Sequence, residues 1–581
     1  MMPGAHAQAL PPLYQNVMRQ PRQAPHEADR VLRAFRAAAD NPVAVLELAG
    51  ALGGQLPLPV FGGANAHPPP DAADPLAASL AWMSPWADPS AGTWPPALPG
   101  VAALPNPLRA ALASMFEDMG QAHQSLQRAL AGLDPTLTPD QLRRQALEGD
   151  PPSPRESDFR HSLPHLDLGA LLGGMQQLMA ATQRLRHFAQ GQTGLPALAW
   201  QLDTPLGRVV VDTTGQDNHH HIHHPLLVLD TGGNDHYTFS GTRPSHSISV
   251  LLDLGGNDHY RSQDYCADPS CGVLGYGVLW DTAGNDHYQG GQLTQASALF
   301  GAAALIDEAG SNLFEASSHA QAHAVAGYAL LIGSPGDDQW LAQTHAQASA
   351  GPHGVAVLLD PGGNDRYVLN SQPLVRASPQ LPDRNTSMGQ GAGRGYRARP
   401  GEGESLSGGL GLLIDLAGDD HYTADVFAQG AGYYEGLGML IDAGGADQFN
   451  AAWYAMGAAA HRGAGVFIKR GNGNDRYHAS HVSALGAAHD ESVAVFLDEG
   501  GNDTYRLGDL GLGAAHDYST ALFIDQGGDD HYTVDANPCR ALGGAFLSGD
   551  APAPTVVQPT LMGVFMDHGG ADQFPPVCHA P

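Results

Sequence analysis

Positive charge is scarce in this chain: 28 Lys and Arg stand against 59 Asp and Glu among 581 residues, a formal net charge of -31. That balance excludes a nucleic-acid or anionic-membrane binder working through its overall charge, and any polyanion must find a local exception. Lysine is almost missing, with Lys469 the single one. No apolar run reaches the roughly 18 residues that cross a bilayer. The nearest, around Ala296 to Ile306, is shorter and broken by small residues, so no membrane-spanning helix is expected. Familiar catalytic signatures are also missing: the chain has no GxSxG, HExxH or P-loop pattern and no CxxC pair with zinc spacing. The start has neither a charged n-region nor an apolar h-region, although residues 4 to 10, GAHAQAL, are similar to the small-residue end of a secretory signal.

Glycine and proline are plentiful, at 73 and 44 residues, while hydrophobic content stays at 43%, which excludes full disorder and favours a turn-rich packed chain. Residues 1 to 200 carry helical spacing, as in Leu108, Leu112, Met115, Phe116 and Met119, and form an N-terminal helical region. Residues 55 to 105, rich in Pro, Gly and Ala, read as a connector within it.

From residue 201 to 581 the chain repeats itself. Aligned on VLLDLGGNDHY (Val250 to Tyr260), thirteen copies appear, mostly 26 to 28 residues apart, a period that marks stacked units. A Gly precedes the second acidic position by two in every copy, as Gly256, Gly284 and Gly310 do. That second column runs Asp217, Asp235, Asp258, Asp286, Asp338, Asp365, Asp420, Asp447, Asp475, Asp503, Asp530 and Asp572, with Asn312 as the exception. An aromatic follows two residues later in twelve copies, His219 being the departure. A first acidic column includes Asp230, Asp253, Asp281, Asp307, Asp360, Asp415, Asp442, Asp498, Asp525 and Asp567. Each unit offers an apolar β-run, a short aromatic-led run and a small-residue segment. Three short strands per unit describe a coil of a parallel β-solenoid, and the fold class is mainly β: about thirteen coils of about 27 residues behind the helices. At about 4.8 Å per coil the stack is on the order of 60 Å long.

Counting alternation back from the first Asp, residues one, three and five before it, such as Ile414, Leu412 and Leu410, should face inward. The column two before it, Leu251, Leu279, Leu413, Phe467, Phe496 and their equivalents, should then face outward. Such a stripe needs a cover, from the N-terminal helices or from another chain.

Stacking also places like charges about 4.8 Å apart, at a cost of roughly 1 kcal/mol per neighbour even in water. The ladders therefore need hydrogen bonds, raised pKa values or cations. Two readings stand: aspartates as backbone clips, or Ca²⁺ sites built from Asp235, Asp253, Asp258, Asp281, Asp286, Asp420, Asp447, Asp475, Asp503 and Asp530. Histidine follows the second Asp in five copies, as His236, His259, His287, His421 and His531; adjacent coils either line these up for a transition metal or leave them solvent-facing beside Asp, and NHHHIHH (Asn218 to His224) reads as a surface cluster open to weak metal binding.

The segment GNGNDRY (Gly471 to Tyr477) resembles the core of the haemolysin-type (RTX) nonapeptide, GGxGxDxUx, whose family members bind Ca²⁺ in a parallel β-roll. The other copies keep the GxDx-aromatic half. The whole unit, IDLAGDDHY (Ile414 to Tyr422) followed by AQGAG (Ala428 to Gly432), resembles uncharacterised bacterial proteins with LxDxxGxDxY and QGxG repeats, which implies a solenoid of unknown function.

Breaks in the array are the places to look for function. Asp365 and Asp420 are 55 apart, with Gln390 between two insertions over residues 368 to 406 that carry Arg376, Arg384, Arg394, Arg397 and Arg399. These make a basic patch, suited to an anionic glycan, lipid headgroup or acidic partner, or else to pairing with the acidic ladders. Lys469 and Arg470 stand where another first Asp is expected, and Gly333 to Pro335 lack that Asp as well. A further insertion covers residues 533 to 559. The four cysteines suit two disulfides of an exported protein, Cys266 with Cys271 and Cys539 with Cys578, against free thiols in a cytoplasmic one. The expected role is an exported structural or interaction protein that presents a rigid surface to a glycan or protein partner, stiffened by Ca²⁺ under the second reading. The alternative is a carbohydrate-active β-helix enzyme with Asp carboxylates near the Arg insertions.

Overall fold

The computed structural model describes residues 11–54, 74–83, 86, 99–148, 156, 158–192, 194–369, 372–398, 404–548 and 560–576. Every apolar run before the first acidic position is a β-strand, and these thirteen strands stack in parallel. Identical columns sit in register: Leu251 on Leu279, Leu279 on Leu305, Leu305 on Leu331. The aromatic-led runs make a second sheet of twelve strands, and the small-residue segments make a third of ten. Most coils thus turn through these three sheets, as the repeat unit requires, and five middle coils add a fourth short strand, as Ser318–Ala320 and Val426–Ala428 do. The 55-residue unit is one coil with two insertions, for Thr386–Gly389 and Ala392–Arg394 rejoin neighbouring strands on either side of Gln390.

The repeated Gly is dictated by stacking. A Cβ on Gly310 would lie 1.4 Å from the carbonyl oxygen of Gly284, and one on Gly256 would lie 1.6 Å from that of Gly233. Both also hold φ of +111° and +154°, which L side chains rarely adopt. At the opposite corner the QGxG glutamine forms a buried ladder. Gln347 Nε2 donates to the carbonyls of Trp340 and Val368, and Gln390 Nε2 donates to Gln347 Oε1 (3.1 Å). Backbone carbonyls at a turn between sheets are thereby satisfied without water.

The inward and outward columns are the reverse of the expectation. Leu251, Leu279, Leu413, Phe467, Phe496 and Phe523 pack in the solenoid interior against Tyr260, Tyr422 and Tyr477. Leu252, Val250, Leu412 and Ile414 lie on the outer face, in one continuous core with Leu112, Phe116, Leu172 and Met179 of the N-terminal helices. The reason is the first Asp itself. It turns inward and is fully buried, as Asp253 and Asp415 are, so residues two before it share the interior with it.

The cover is intramolecular. Helices Ala24–Ala38, Pro42–Leu52, Asn106–Leu130 and Leu168–Gly191 contribute to it. Tyr276 donates its hydroxyl to the Leu171 carbonyl at 2.9 Å, and Arg470 pairs with Asp29. The helices and the first sheet therefore share one core. Part of the expected connector is helical too: Pro75–Met83 packs on Asn106–Leu130. An antiparallel strand, Ala199–Thr204, pairs with Gly207–Asp212 and closes the N-terminal edge of the first sheet, an end that would otherwise invite strand addition.

Cys266 and Cys271 form a disulfide, and both are buried. Cys539 is disulfide-bonded; its expected partner Cys578 lies outside the described residues, as do the signal-like residues 4 to 10.

Candidate functional site

Both acidic columns are hydrogen-bonded inside the coil. In the second column, each Oδ1 accepts the backbone N–H of the equivalent residue one coil earlier: Asp235 donates to Asp258, Asp258 to Asp286, Asp420 to Asp447, Asp447 to Asp475 and Asp475 to Asp503, each at 2.6 Å, and Asp503 to Asp530 at 2.7 Å. The residue just before runs a second ladder in the opposite direction, with Asn257 N–H donating to Asn234 Oδ1 and Asn285 N–H to Asn257 Oδ1. In the first column, Oδ1 accepts the N–H two residues on, as Asp253 does from Gly255 and Asp281 from Ala283.

The remaining oxygens converge. Tyr237 Oη lies 3.0 Å from Asp230 Oδ2 and 2.7 Å from Asp253 Oδ2; Tyr367 Oη lies 3.0 Å from Asp360 and 2.8 Å from Asp415. One hydroxyl proton bonds well to one carboxylate, so the second contact at 2.7–3.0 Å is satisfied best by a proton on a carboxyl. Burial pushes Asp258 up to about 9, helped by the neighbouring Asp253 and Asp286 charges, and pushes Asp286 up to about 7. Asp281 and Asp415 are raised well above the usual range, chiefly by burial.

Two coils replace the proton with other chemistry. Lys469 takes the first-Asp position between Asp442 and Asp498, and its Nζ lies 3.1 Å from Asp442 and 2.7 Å from Asp447 while the side chain is 1% exposed. Where Gly333 to Pro335 lack the Asp, Ser334 Oγ stands 3.3 Å from Asp338, and Asn312 Nδ2 donates to that same hydroxyl. The groups Asp230–Asp235–Asp253, Asp253–Asp258–Asp281 and Asp360–Asp365–Asp415 each bring three carboxylate oxygens within 4.8 Å of one another. Three oxygens fall short of the six to eight that Ca²⁺ takes, and burial leaves these groups closed to water.

The first copy is shifted by one. His219 pairs with His236, which places Asn218 at the second acidic position and His220 in the aromatic column, stacked 5.0 Å from Tyr237. The column then continues unbroken from His220 through Tyr260, Tyr288, Phe314 and Trp340 to Phe574.

The candidate cations are dispersed. Lys469 is consumed by the ladder, and Arg470 ties Asp29 and Glu499. Arg376 donates to the Leu147 carbonyl, Arg384 sits by Asp425, and exposed Arg397 lies 3.2 Å from His461. Arg394 is half-buried near His323 and His345, whose imidazoles are held below their usual range by their own burial first and by the Arg394 charge second. Arg399 lies outside the described residues. Of the described arginines of the insertions, Arg384 alone meets a carboxylate of the solenoid.

A cavity of about 370 Å³ opens instead at the junction of helices and solenoid, lined by Gln15, Asp167, Tyr328, His353 and Ser407, with Asp167 the one carboxylate among its described lining residues.

The second sheet remains uncovered. Its strands alternate between exposed and buried, as in His421–Thr423 and Arg476–Val482. The outward positions carry Arg261, Arg366, Arg476 and Arg506 with His236, His259, His287, His421, His478 and His531; the acids beside them include Glu315, 2.8 Å from His287, the half-buried Asp509 that ends Thr504–Asp509, and Asp535, just past His531–Val534 and 3.4 Å from Arg506. His219, His236, His259 and His287 occupy four consecutive coils, with ring separations of 4.7, 5.6 and 4.6 Å. Sequence reading isolated part of this histidine column but not the arginines that alternate with it; reading one column down all copies, without regard to residue type, would have found them. Comparison with protein-family models, curated proteins and solved structures returns no match.

Proposed function

We propose that the chain is an exported interaction scaffold that binds an anionic glycan along the outer face of its second sheet. The observation that carries this reading is the local sign of charge: in the described strands four arginines and two histidine-bearing columns face outward against few acids, Glu315 and, beside Arg506, Asp535, on a protein of net charge -31. This is the local exception a polyanion needs. Coils spaced about 4.8 Å apart repeat these donors along a flat face, and stacked strands hold them without lid or hinge. The disulfide suits an exported protein. In this reading the aspartate ladders hold shared protons and make the platform rigid, with no role for Ca²⁺. The enzyme alternative asks for two accessible carboxylates; the cavity offers Asp167, and the ladder carboxylates are buried.

Affinity electrophoresis through a polyuronate gel tests the proposal. Retardation is expected at low salt and should fall steeply as salt rises, with Arg476→Glu/Arg506→Glu reducing affinity about tenfold or more. Equal retardation by a neutral glucan, or none by the polyuronate, rejects it.

A further inference from the structure

A cluster of metal-ligand chemistry lies at a different corner, in the third sheet near the C-terminal end. Consecutive coils carry the same pentapeptide, GAAHD, at Gly486–Asp490 and Gly513–Asp517. Ala488 pairs with Ala515 and His489 with His516, so two His-Asp pairs are stacked one above the other. The imidazoles of His489 and His516 are parallel, 4.6 Å apart. Both aspartates follow at positive φ, +55° for Asp490 and +48° for Asp517. That backbone turn brings each carboxylate back beside the histidines.

We propose that His489, His516 and Asp517 form a site for a borderline divalent transition metal of the Zn²⁺ class. One ligand atom from each lies within 4.8 Å of the others. Asp517 Oδ2 is 3.3 Å from His516 Nδ1 and 3.8 Å from His489 Nε2. Tetrahedral Zn²⁺ with bonds of about 2.0–2.2 Å separates its ligands by about 3.3–3.5 Å, close to both carboxylate–imidazole distances; because an imidazole lone pair lies in the ring plane, binding also requires one of the two stacked rings to turn about its side-chain bonds so that both nitrogens face the same ion. His516 Nδ1 is buried and, beyond the Asp517 carboxylate 3.3 Å away, has no polar partner among the described residues. The flanking groups are those that orient metal ligands. Ser548 fixes the Asp517 carboxylate by donating its N–H to Oδ1 (2.7 Å) and its hydroxyl to Oδ2 (2.9 Å). Asp490 Oδ2 stands 3.4 Å from His489 Nδ1 and is braced by His461 at 2.6 Å. The histidine side chains are 28% and 19% exposed, which leaves a fourth coordination position facing water. Two imidazoles and one carboxylate select a borderline ion over Ca²⁺ or Mg²⁺, which take oxygen shells. The site would also fasten Ser548, where the described part of the insertion over residues 533 to 559 ends, to the solenoid.

The test uses the full chain stripped of metal and titrated with Zn²⁺ against a chromophoric chelator, and separately with Co²⁺ followed in the visible. Surface histidines such as His221 and His223 are common to all variants, so the readout is the difference from wild type. Wild type should hold one tight equivalent that His489→Gln and Asp517→Asn weaken at least 100-fold, with loss of the Co²⁺ d–d bands. Ser548→Ala, which touches no ligand atom of the histidines, should weaken it about tenfold. His516→Gln serves if another variant fails to fold, as judged by its metal-free thermal midpoint. A folded His489→Gln or His516→Gln protein that keeps the tight equivalent and the Co²⁺ bands overturns the site.

Discussion

The first and second sheets arise from the same repeats and share one interior, yet their outer faces have opposite fates. On the first sheet the outward columns are aliphatic, Leu412 and Ile414 for example, and the strands are buried on both faces beneath the helices. On the second, outward positions are largely polar, His, Arg, Thr and amides among them, and many stay exposed. The difference teaches that the repeat alone does not determine the surface. Interior positions are locked by stacking, since Tyr, Asp, Gly and Gln each contact their own kind in the next coil. Outer positions answer to whatever covers them, and the exposed sheet is where selection for a partner can act.

Substitutions separate the two faces most sharply. Leu412→Asp should bury an unpaired charge between helix and sheet and destabilise by about 4 kcal/mol or more, seen as failure to accumulate folded protein. Arg476→Asp on the exposed sheet should change stability by no more than about 0.5 kcal/mol in chemical denaturation. Equal losses would erase the distinction. Gly310→Ala tests the shared interior: a Cβ 1.4 Å from the Gly284 carbonyl forces two coils apart, and about 4 kcal/mol should be lost. Lys469→Met, which leaves Asp442 and Asp447 without their ammonium, should cost about 3 kcal/mol near pH 8. The loss should be smaller near pH 5, where Asp447, whose carboxyl burial raises, carries a proton instead. Tyr367→Phe removes one hydroxyl between Asp360 and Asp415 and should cost about 1–3 kcal/mol.

The pH dependence has a definite sign. Carboxyls raised on folding to about 7, 8 and 9, as at Asp286, Asp503 and Asp258, bind protons more tightly in the native state. Their contribution is complete below the unfolded value of about 4 and is lost as pH rises through 7 to 9. The thermal midpoint should therefore fall between pH 5 and pH 9, by on the order of 5 °C. A midpoint that rises over that range would place charged carboxylates, and hence cations, in the ladders.

The solenoid was legible because its spacing and its Gly, Asp and Tyr columns are chemical necessities of stacking. The sidedness was not. Alternation fixes which residues share a face but not which face is interior, and that depended on whether Asp253 and its equivalents point at water or at Tyr237. Their burial at 0% could not be read from residues that usually seek solvent. Lys469 was visible as a break, but its role needed the position of its partners. The shift at His220 escaped because Asp217 supplied a false match one residue early. His489 and Asp517 were hidden because they fall outside the columns on which the copies align.

The most direct measurement of the account is a carbethoxylation footprint of the histidines, read by mass spectrometry with and without a polyuronate. Protection of His259, His421 and His478, together with unchanged modification of His489 and His516 in metal-free protein, is the expected result. Equal modification of all five with the glycan present, under conditions where the gel shows binding, would contradict the assignment of the second sheet as the presented face.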